Sequence, residues 1–285
     1  MLSSAFSLRL RASAVNGVLN SAARISSVTS PDTPPAAIDI RGACKTYPNG
    51  IRAVEPIDLT VREGEFVTIV GPSGCGKSTL LRLIAGLSPP TAGSIVLSKD
   101  FASRRLACVF QSPTLMPWAS VQANVRLPLD LAGIARAEAD ETTRQALERV
   151  GLQEFARSFP RELSGGMQMR ASIARALVTG ARLLLMDEPF GALDEITRNR
   201  LDREFSGLSA RENLTVLFVT HSIYEAVFLS SRVLVMSPRP GRISGEISID
   251  LPRPRPDSFR GTAEFAAHST RLSEMLGAVM QEAGE

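Results

Sequence analysis

Cysteine is scarce in this chain of 285 residues, which has only Cys44, Cys75 and Cys108. The count is odd, no pair has C-x-x-C spacing, and no cluster of cysteine with histidine is visible. The sequence therefore indicates neither a disulfide framework nor a zinc site, and it favours a reducing compartment.

Long apolar runs are missing as well. A helix that crosses a bilayer needs roughly 18 to 20 consecutive apolar residues, and no stretch of the sequence approaches that length. If the protein works at a membrane, we expect a partner to supply the membrane-spanning part.

A strong excess of charge is the third absence. The net charge is +3, and residues 1–37 contribute +2 of it, because they hold Arg9, Arg11 and Arg24 against Asp32. The rest of the chain is thus nearly neutral. Nucleic-acid binders carry many phosphate-neutralising charges, so the composition argues against direct nucleic-acid binding.

Residues 1–37 are rich in serine, alanine and arginine and contain no acid before Asp32. This composition fits an organelle transit peptide, and it also fits a disordered extension or an upstream start codon. Asn16, Gly17 and Asn20 interrupt the apolar face, and residues 29–35 have linker chemistry. We therefore expect a disordered N-terminal extension over 1–37.

What the sequence does contain is the pattern of an α/β protein. Seven short apolar runs predict strands, and the later ones suit a parallel sheet buried on both faces. The runs cover residues 38–44, 57–61, 65–70, 105–110, 182–187, 214–220 and 232–237. We expect an α/β architecture with this sheet as its core, preceded by a β-rich N-terminal subdomain.

The pattern between residues 110 and 182 is helical, with segments near 121–131, 136–150 and 165–178. It predicts a helical subdomain over about 112–180, inserted into a main domain that spans 38–250. Pro128 should bend or end the first helix. The remainder, 251–285, reads as a Pro-rich extended linker followed by a helix near 262–281 that packs on the body.

The segment GPSGCGKST, residues 71–79, joins an apolar strand directly to a helix. This is the G-x-x-x-x-G-K-[ST] spacing of a loop whose backbone N–H groups surround phosphate oxygens, whose lysine reaches the β- and γ-phosphates and whose next hydroxyl faces Mg²⁺. We call residues 71–79 the phosphate loop, and with it the expected sheet core becomes one of the phosphate-loop NTPase type. The predicted ATP-binding residues in it are Gly71, Pro72, Ser73, Gly74, Cys75, Gly76, Lys77, Ser78 and Thr79.

Cys75 lies inside the phosphate loop, near a helix N-terminus and Lys77. Such a setting favours the thiolate. We therefore expect Cys75 to react quickly with a maleimide, and the adduct to fill the phosphate site.

Two acids and a histidine follow other predicted strands. Asp187 and Glu188 end the strand of 182–187, where one carboxylate can hold a metal's hydration shell and the next can orient or deprotonate the attacking water. His221 follows the strand of 214–220, at the sheet edge where ligands bind, and can sense the γ-phosphate.

The segment LSGGMQ, residues 163–168, is lacking in other phosphate-loop ATPases. With it, the chain resembles the nucleotide-binding subunit of ABC transporters from about residue 38 to about residue 252. In that family the segment begins a helix and faces ATP bound to the opposite subunit. The resemblance implies a head-to-tail homodimer, in which these signature residues act on the partner's ATP: Ser164, Gly165, Gly166 and Gln168.

The same resemblance implies further roles. Tyr47 would stack on adenine, Gln111 would link the metal to the membrane subunits, and the loop 191–194, with Asp194, would cross the dimer interface. ATP and Mg²⁺ are the implied cofactors. The implied metal residues are Ser78, Gln111 and Asp187, and the implied catalytic residues are Lys77, Glu188 and His221.

Met167, the run SPRPGRI at 237–243 and the LPRPR that follows resemble the importer branch for nitrate, sulfonates, taurine and bicarbonate. Importers of thiamine precursors have similar sequences, so import of a thiamine precursor remains an alternative. Such a system implies membrane permease subunits, an external solute-binding protein and a peripheral position on the cytoplasmic face of the inner membrane.

Two other classes remain as alternatives. A soluble ABC ATPase of ribosomes or DNA repair usually has two units per chain or long coiled coils, and this chain has one unit and no sustained heptads. A regulatory module that never hydrolyses ATP would lack Glu188 or His221.

The segment after Gln111 contains Leu115, Met116 and Trp118 between Pro113 and Pro117. Large apolar side chains on a loop either fold back onto the helical subdomain or await a partner. We expect this segment to form the groove for a short helix of the membrane subunit.

Overall fold

The computed structural model of the protein describes residues 34–102 and 106–282. The extension expected over 1–37 lies outside the described residues as far as Thr33. The strands are β1 (Ala36–Thr46), β2 (Arg52–Arg62), β3 (Phe66–Val70), β4 (Ala92–Leu97), β5 (Leu106–Val109), β6 (Leu183–Asp187), β7 (Thr215–Thr220), β8 (Arg232–Met236) and β9 (Ile243–Ser248). Because β1 starts at Ala36, regular structure begins two residues before the expected domain boundary.

The helices include every segment for which the sequence predicted one. They are α1 (Lys77–Ile84), α2 (Lys99–Ala102), α3 (Val121–Leu131), α4 (Arg136–Arg149), α5 (Gly165–Leu177), α6 (Glu195–Arg211), α7 (Ile223–Leu229) and α8 (Ala263–Glu282). Short 3-10 helices lie at Gln153–Phe155, Pro160–Glu162 and Asp257–Gly261. No helix of the described ranges is long and apolar enough to cross a membrane.

The described part of the chain contains two β-sheets. A three-stranded antiparallel sheet has the order β2-β1-β4, and a six-stranded sheet has the order β5-β6-β7-β3-β8-β9. The first five strands of the larger sheet are parallel, and β9 runs antiparallel to β8. The sheet core and the β-rich N-terminal subdomain predicted from the sequence are both confirmed.

The larger sheet is covered on both faces, so its strands are continuously apolar. In β3, Phe66 and Val70 face a helical layer that includes α5 to α8, whereas Val67 and Ile69 face α1 and the smaller sheet. Alternate residues point to opposite faces of a strand, and both faces here exclude water. This explains why β3 and its neighbours lack the polar alternation of a half-exposed strand.

The helical subdomain has a small core of its own, which α3, α4 and α5 build. Helix α5 contributes to two cores, because Ala171 and Ala174 pack into this one while Met169 and Ile173 pack against the sheet. Pro128 does not end α3, which continues to Leu131, so that part of the expectation is wrong.

The tail is more firmly held than a linker would be. Arg255, within the LPRPRP run, is only 3% exposed and donates hydrogen bonds to the carbonyl oxygens of Val227, Phe228, Ile249 and Leu251. Burial lowers the pKa of Arg255 to about 10. Four main-chain carbonyl groups thus hold the Arg255 side chain, and this segment fastens the start of the C-terminal helix to the body.

Candidate active site

The carboxyl ends of β3, β6 and β7 lie side by side in the larger sheet. Ligands of open parallel sheets bind at this edge. The phosphate loop follows β3, Glu188 follows β6 and His221 follows β7. The topology therefore brings together three segments that are far apart in the sequence.

Glycines allow the phosphate loop to pack closely. Gly76 has φ of +114°, and a Cβ there would lie 2.6 Å from the carbonyl oxygen of Ala53. At Gly71, a Cβ would lie 2.7 Å from the carbonyl oxygen of Met236. Glycine at both positions allows this close packing and the tight turn of the loop. The loop leads directly into α1, so the first N–H groups of that helix point toward the ligand side.

Lys77, the first residue of α1, is 4% exposed. Its Nζ donates to the carbonyl oxygens of Gly71 at 2.8 Å and Pro72 at 2.9 Å, and lies 3.9 Å from Oε1 of Glu188. The ammonium group is therefore held against the loop by carbonyl groups and a carboxylate rather than by solvent.

Ser78 and Asp187 form a pair of oxygen donors. The Oγ of Ser78 donates to Oδ1 of Asp187 at 2.8 Å. Burial raises the pKa of Asp187, and the hydrogen bond from Ser78 opposes that change. A hydroxyl and a carboxylate at hydrogen-bond distance are hard oxygen ligands of the kind that Mg²⁺ prefers, so these residues fit that ion.

Glu188 and His221 are also in contact, with Oε2 of Glu188 2.9 Å from Nδ1 of His221. Glu188 has φ of +46°, which is uncommon for a residue with a Cβ. Its N–H donates to the carbonyl oxygen of Val219 in β7, and this bond holds the unusual backbone in place. Such strained positions concentrate at functional sites.

Part of the phosphate loop lines an open cavity of about 580 Å³ together with Asp187 and Glu188, whereas His221 lies outside its lining. Its lining residues are Tyr47, Ile51, Ala53, Ser73, Gly74, Gly76, Lys77, Ser78, Thr79, Gln111, Asp187, Glu188 and Arg239. Ten of them are expected site residues that the sequence placed there, and Asp187 is among them as a metal ligand. Ile51, Ala53 and Arg239 are residues that sequence reasoning missed.

Tyr47 and Gln111 lie at the borders of this cavity. The hydroxyl of Tyr47 is 3.4 Å from Oγ1 of Thr79, and the Nζ of Lys45 lies 5.6 Å from the centre of the Tyr47 ring. A Cβ placed on Gly191 would be 3.6 Å from both Nε2 of Gln111 and Oε2 of Glu188. The dimer loop of 191–194 is thus next to the two polar residues that follow β5 and β6.

The signature residues lie elsewhere on the chain. Ser164 is the N-cap of α5 and accepts a hydrogen bond from the N–H of Met167 at 3.3 Å. The amide of Gln168 turns back to its own chain, donating to the carbonyl oxygen of Pro160 at 3.0 Å. None of Ser164, Gly165, Gly166 and Gln168 lines the cavity of the same chain.

Asp194 caps the next helix. Its Oδ1 accepts a hydrogen bond from the N–H of Thr197 at 2.9 Å, which lowers the pKa of Asp194. The carboxylate therefore fixes the junction between the dimer loop and α6.

The thiolate expected at Cys75 is not favoured by its surroundings. The side chain is 1% exposed, and burial raises the pKa of its thiol, although Lys77 nearby favours the thiolate. Its Sγ lies 3.9 Å from Nζ of Lys77. Because desolvation outweighs the ammonium charge, Cys75 is a buried thiol that packs under the phosphate loop and does not line the cavity.

A buried polar network behind the site was not expected from the sequence. Arg198 donates to the carbonyl oxygens of Phe190 at 3.3 Å and Leu193 at 2.7 Å, and its Nε lies 3.8 Å from Oε1 of Glu225. Glu225 is 3% exposed and accepts a hydrogen bond from Thr220, the residue before His221. Arg198 and Glu225 therefore connect the dimer loop to the histidine segment.

The segment after Gln111 is held rigidly. Asn124, which is fully buried, accepts from the N–H of Met116 at 2.7 Å, and Arg175 donates to the carbonyl oxygens of Pro113 and Thr114, each at 2.8 Å. Leu115 packs onto the core of the helical subdomain, whereas Trp118 remains 76% exposed. Only part of the segment thus folds back.

Comparison with known proteins identifies the family. The family model described as ABC transporter matches residues 54–191. The aliphatic sulfonates import ATP-binding protein SsuB of Rhodopseudomonas palustris is 47% identical over 240 residues, which cover 83% of this chain and 82% of the relative. The chain belongs to the ABC transporter family of ATP-binding subunits.

Other members of this ABC family agree in sequence and in fold. The taurine import ATP-binding protein TauB of Rhizobium johnstonii is 46% identical over 210 residues, 73% of this chain and 80% of the relative. The ATP-binding cassette MJ0796, solved as a dimer in a post-hydrolysis state with ADP and phosphate, superposes with a TM-score of 0.64 at 32% identity, covering 74% of this chain and 98% of that one. The chain is an ATP-hydrolysing ABC cassette.

Proposed function

We propose that this ATPase energises the import of a small organic sulfonate such as taurine, or of a related small anion such as nitrate. The observation that carries the proposal is the identity of 47% and 46% to proteins named for sulfonate and taurine import, over most of both chains. An ATPase subunit does not touch the solute, so the inference rests on ancestry. The site geometry supports the hydrolytic half of the proposal.

In the proposed site, the triphosphate lies in the phosphate loop. Lys77 compensates charge on the β- and γ-phosphates, because its ammonium group is already fixed at the loop. Tyr47 lies at the border of the cavity, beside Thr79, and stacks on adenine. Ser78, Asp187 and Gln111 would hold Mg²⁺, which when bound would compensate the negative charge of the phosphates.

Glu188 is the proposed proton acceptor for the attacking water. Its carboxylate lies within 3.9 Å of Lys77 and 2.9 Å of His221, so two groups limit its orientation. His221 has more than half of its side chain exposed and is free to contact the γ-phosphate with its other ring nitrogen. Oriented groups of this kind lower the barrier because they need no reorganisation during the reaction.

The second half of each site comes from a second copy of the chain. Ser164, Gly165 and Gly166 begin α5, whose N-terminal N–H groups suit an anion, and yet they do not line the cavity of their own chain. The dimeric cassette MJ0796 supports a dimer for this fold. We propose a homodimer in which these residues, with Gln168 as their support, complete the partner's site, and the dimer loop with Asp194 crosses the interface.

Membrane permease subunits and an external solute-binding protein are the proposed further partners, with the ATPase on the cytoplasmic face of the inner membrane. Trp118 supports a permease contact, because an exposed aromatic side chain on a rigid loop is a suitable anchor for a partner. Gln111 lies between this loop and the metal residues, and would pass the presence of nucleotide to the permease.

Reconstitution tests the solute. The full chain is reconstituted in proteoliposomes with permeases and solute-binding proteins of the same organism, and ATPase activity is measured with taurine, an alkanesulfonate, nitrate, bicarbonate or a thiamine precursor. We expect stimulation by the sulfonates. Stimulation by the thiamine precursor alone would overturn the proposed solute, and failure of any permease to bind would favour a soluble ABC ATPase.

A further inference from the structure

The loop between β8 and β9 carries the run SPRPGRI, which has no part in the roles proposed above. Arg239 of this loop lines the nucleotide cavity. Its guanidinium donates to the carbonyl oxygen of Gly74 twice, from Nε at 3.2 Å and from Nη2 at 3.0 Å. Gly74 belongs to the phosphate loop, where it has φ of +76°. Arg239 is therefore bonded to the backbone that would surround the phosphates.

The backbone of this loop is fixed against the phosphate loop and β2. Gly241 donates to the carbonyl oxygen of Ala53 at 3.1 Å and accepts from the N–H of Glu55 at 2.9 Å. A Cβ at Gly241 would lie 2.2 Å from the carbonyl oxygen of Cys75, so no larger residue fits without movement. Ser237 closes the loop by accepting from the N–H of Arg242 at 3.0 Å. These contacts fix the backbone of the loop, and with it the position from which the Arg239 side chain extends.

Four charged residues line the cavity, the cations Lys77 and Arg239 and the anions Asp187 and Glu188. Lys77 is buried and its ammonium group already has carbonyl and carboxylate neighbours. Arg239 is exposed, and two of its five N–H donors are used by Gly74. The guanidinium thus keeps donors for a ligand, and planar guanidinium groups bind phosphate oxygens well.

We propose that Arg239 is a nucleotide-binding residue. Its guanidinium donates to the carbonyl oxygen of Gly74 and compensates the negative charge of the phosphates of the bound nucleotide. The inference rests on the nucleotide position proposed above. The contact forms when the nucleotide binds and does not depend on the reacting bond. Loss of such uniform binding raises KM and leaves kcat nearly unchanged.

Binding measurements on the full chain test this inference. The variants are Arg239→Gln and Arg239→Lys, with Arg242→Gln as the matched control. Arg242 lies in the same loop with its side chain 56% exposed, and its guanidinium is 3.8 Å from Glu282 on α8 rather than at the cavity. Dissociation constants for MgATP, MgADP and AMP are measured at low and high salt, together with kcat, KM and the melting temperature.

We expect Arg239→Gln to weaken MgATP binding about tenfold, as loss of one partly exposed charge-assisted contact would. The affinity for AMP should fall less than the affinity for MgATP, because AMP has fewer phosphates. High salt should shrink the difference between wild type and variant. The MgATP affinity of Arg239→Lys should lie between those of wild type and Arg239→Gln. The kcat of both Arg239 variants should stay within about twofold of wild type. Arg242→Gln should bind MgATP like wild type.

Three results would overturn the inference. Unchanged ATP affinity in Arg239→Gln would show that the guanidinium makes no contact of consequence. Equal losses for AMP and ATP at both salt concentrations would show that Arg239 only shapes the phosphate loop. A fall in kcat at unchanged KM would place its effect in the chemical step. If the wild-type chain bound no ATP, the proposed nucleotide site itself would fail, which is a different outcome.

Discussion

Glu188 and His221 meet at 2.9 Å, although 33 positions separate them in the sequence. The contact exists because β6 and β7 are neighbours in the sheet, with Asp187 opposite Val219 in their register. Each residue follows the end of its own strand. The pair is therefore a product of strand order, and it aligns the proposed proton acceptor.

Replacement of Glu188 by Gln should separate binding from hydrolysis. The amide keeps the size of the side chain and loses the proton acceptor, so we expect kcat to fall about 10²-fold or more while MgATP binding survives. The closed dimer should then accumulate, as size-exclusion chromatography with MgATP would show. Glu274→Gln, at an exposed position of α8, is the control. Hydrolysis at the wild-type rate by Glu188→Gln would remove Glu188 from the mechanism.

Cys75 should be the slowest of the three cysteines to react with a maleimide. Cys44 and Cys108 are half-buried, whereas Cys75 is 1% exposed. Burial raises the pKa of both Cys75 and Cys108, so the difference in exposure carries this prediction. Mass spectrometry of the native chain should find Cys75 labelled last, and the three rates should converge in denaturant. Fast labelling of Cys75 would mean that the phosphate loop opens readily, and protection by ATP would then be expected.

Glu225 should make stability depend on pH. Burial, with a smaller contribution from Asp202, raises the pKa of Glu225 from 4.5 to about 7. Between these two pKa values the folded chain holds a proton that the unfolded chain releases. The contribution of Glu225 to the free energy of unfolding is therefore complete below about pH 4.5 and is lost as the pH rises through 7. Asp202, whose pKa burial also raises, adds a change of the same sign, and Arg198 and Arg260 oppose both.

Glu225→Gln removes the titrating group and keeps an acceptor for Thr220. We expect its melting temperature to decline less than that of wild type between pH 5 and 8, by several degrees, since about 1 kcal/mol corresponds to about 2–4 °C in a domain of this size. Thermal unfolding monitored by circular dichroism checks this. Glu274→Gln, at an exposed position of α8, is the surface control. Parallel pH profiles for wild type and Glu225→Gln would show that Glu225 stays ionised in the fold.

Trp118→Ala should affect assembly alone. The side chain is 76% exposed, and Asn124 and Arg175 hold the loop without its help. We expect ATPase activity and melting temperature of the isolated subunit to change little, while binding to the permease weakens by about 2 kcal/mol or more. Pull-down with the permease and uptake in cells measure the loss. A large drop in melting temperature without the permease would assign Trp118 to the core instead.

Strong local patterns made much of this fold predictable. β3, the phosphate loop and α1 follow one another without a spacer, so apolar strand, glycine turn and periodic helix could each be recognised alone. The edge strand β4 was missed because most of its residues are exposed and main-chain bonds to β1 hold it. Helix α6 was missed because polar Asp202, Ser206 and Ser209 share its buried face with Leu201 and Phe205, which hides the apolar periodicity.

The sequence by itself determined the chemistry at each position, namely glycines that permit a tight loop, a lysine after it, and carboxylates and a histidine at strand ends. Only the tertiary structure decided which of these groups meet and in what state. It placed Arg239 beside Gly74, although 165 positions separate them. It also buried Cys75, so that desolvation outweighs the charge of Lys77. Distances between segments and access to water depend on packing, and packing is not a local property of the sequence.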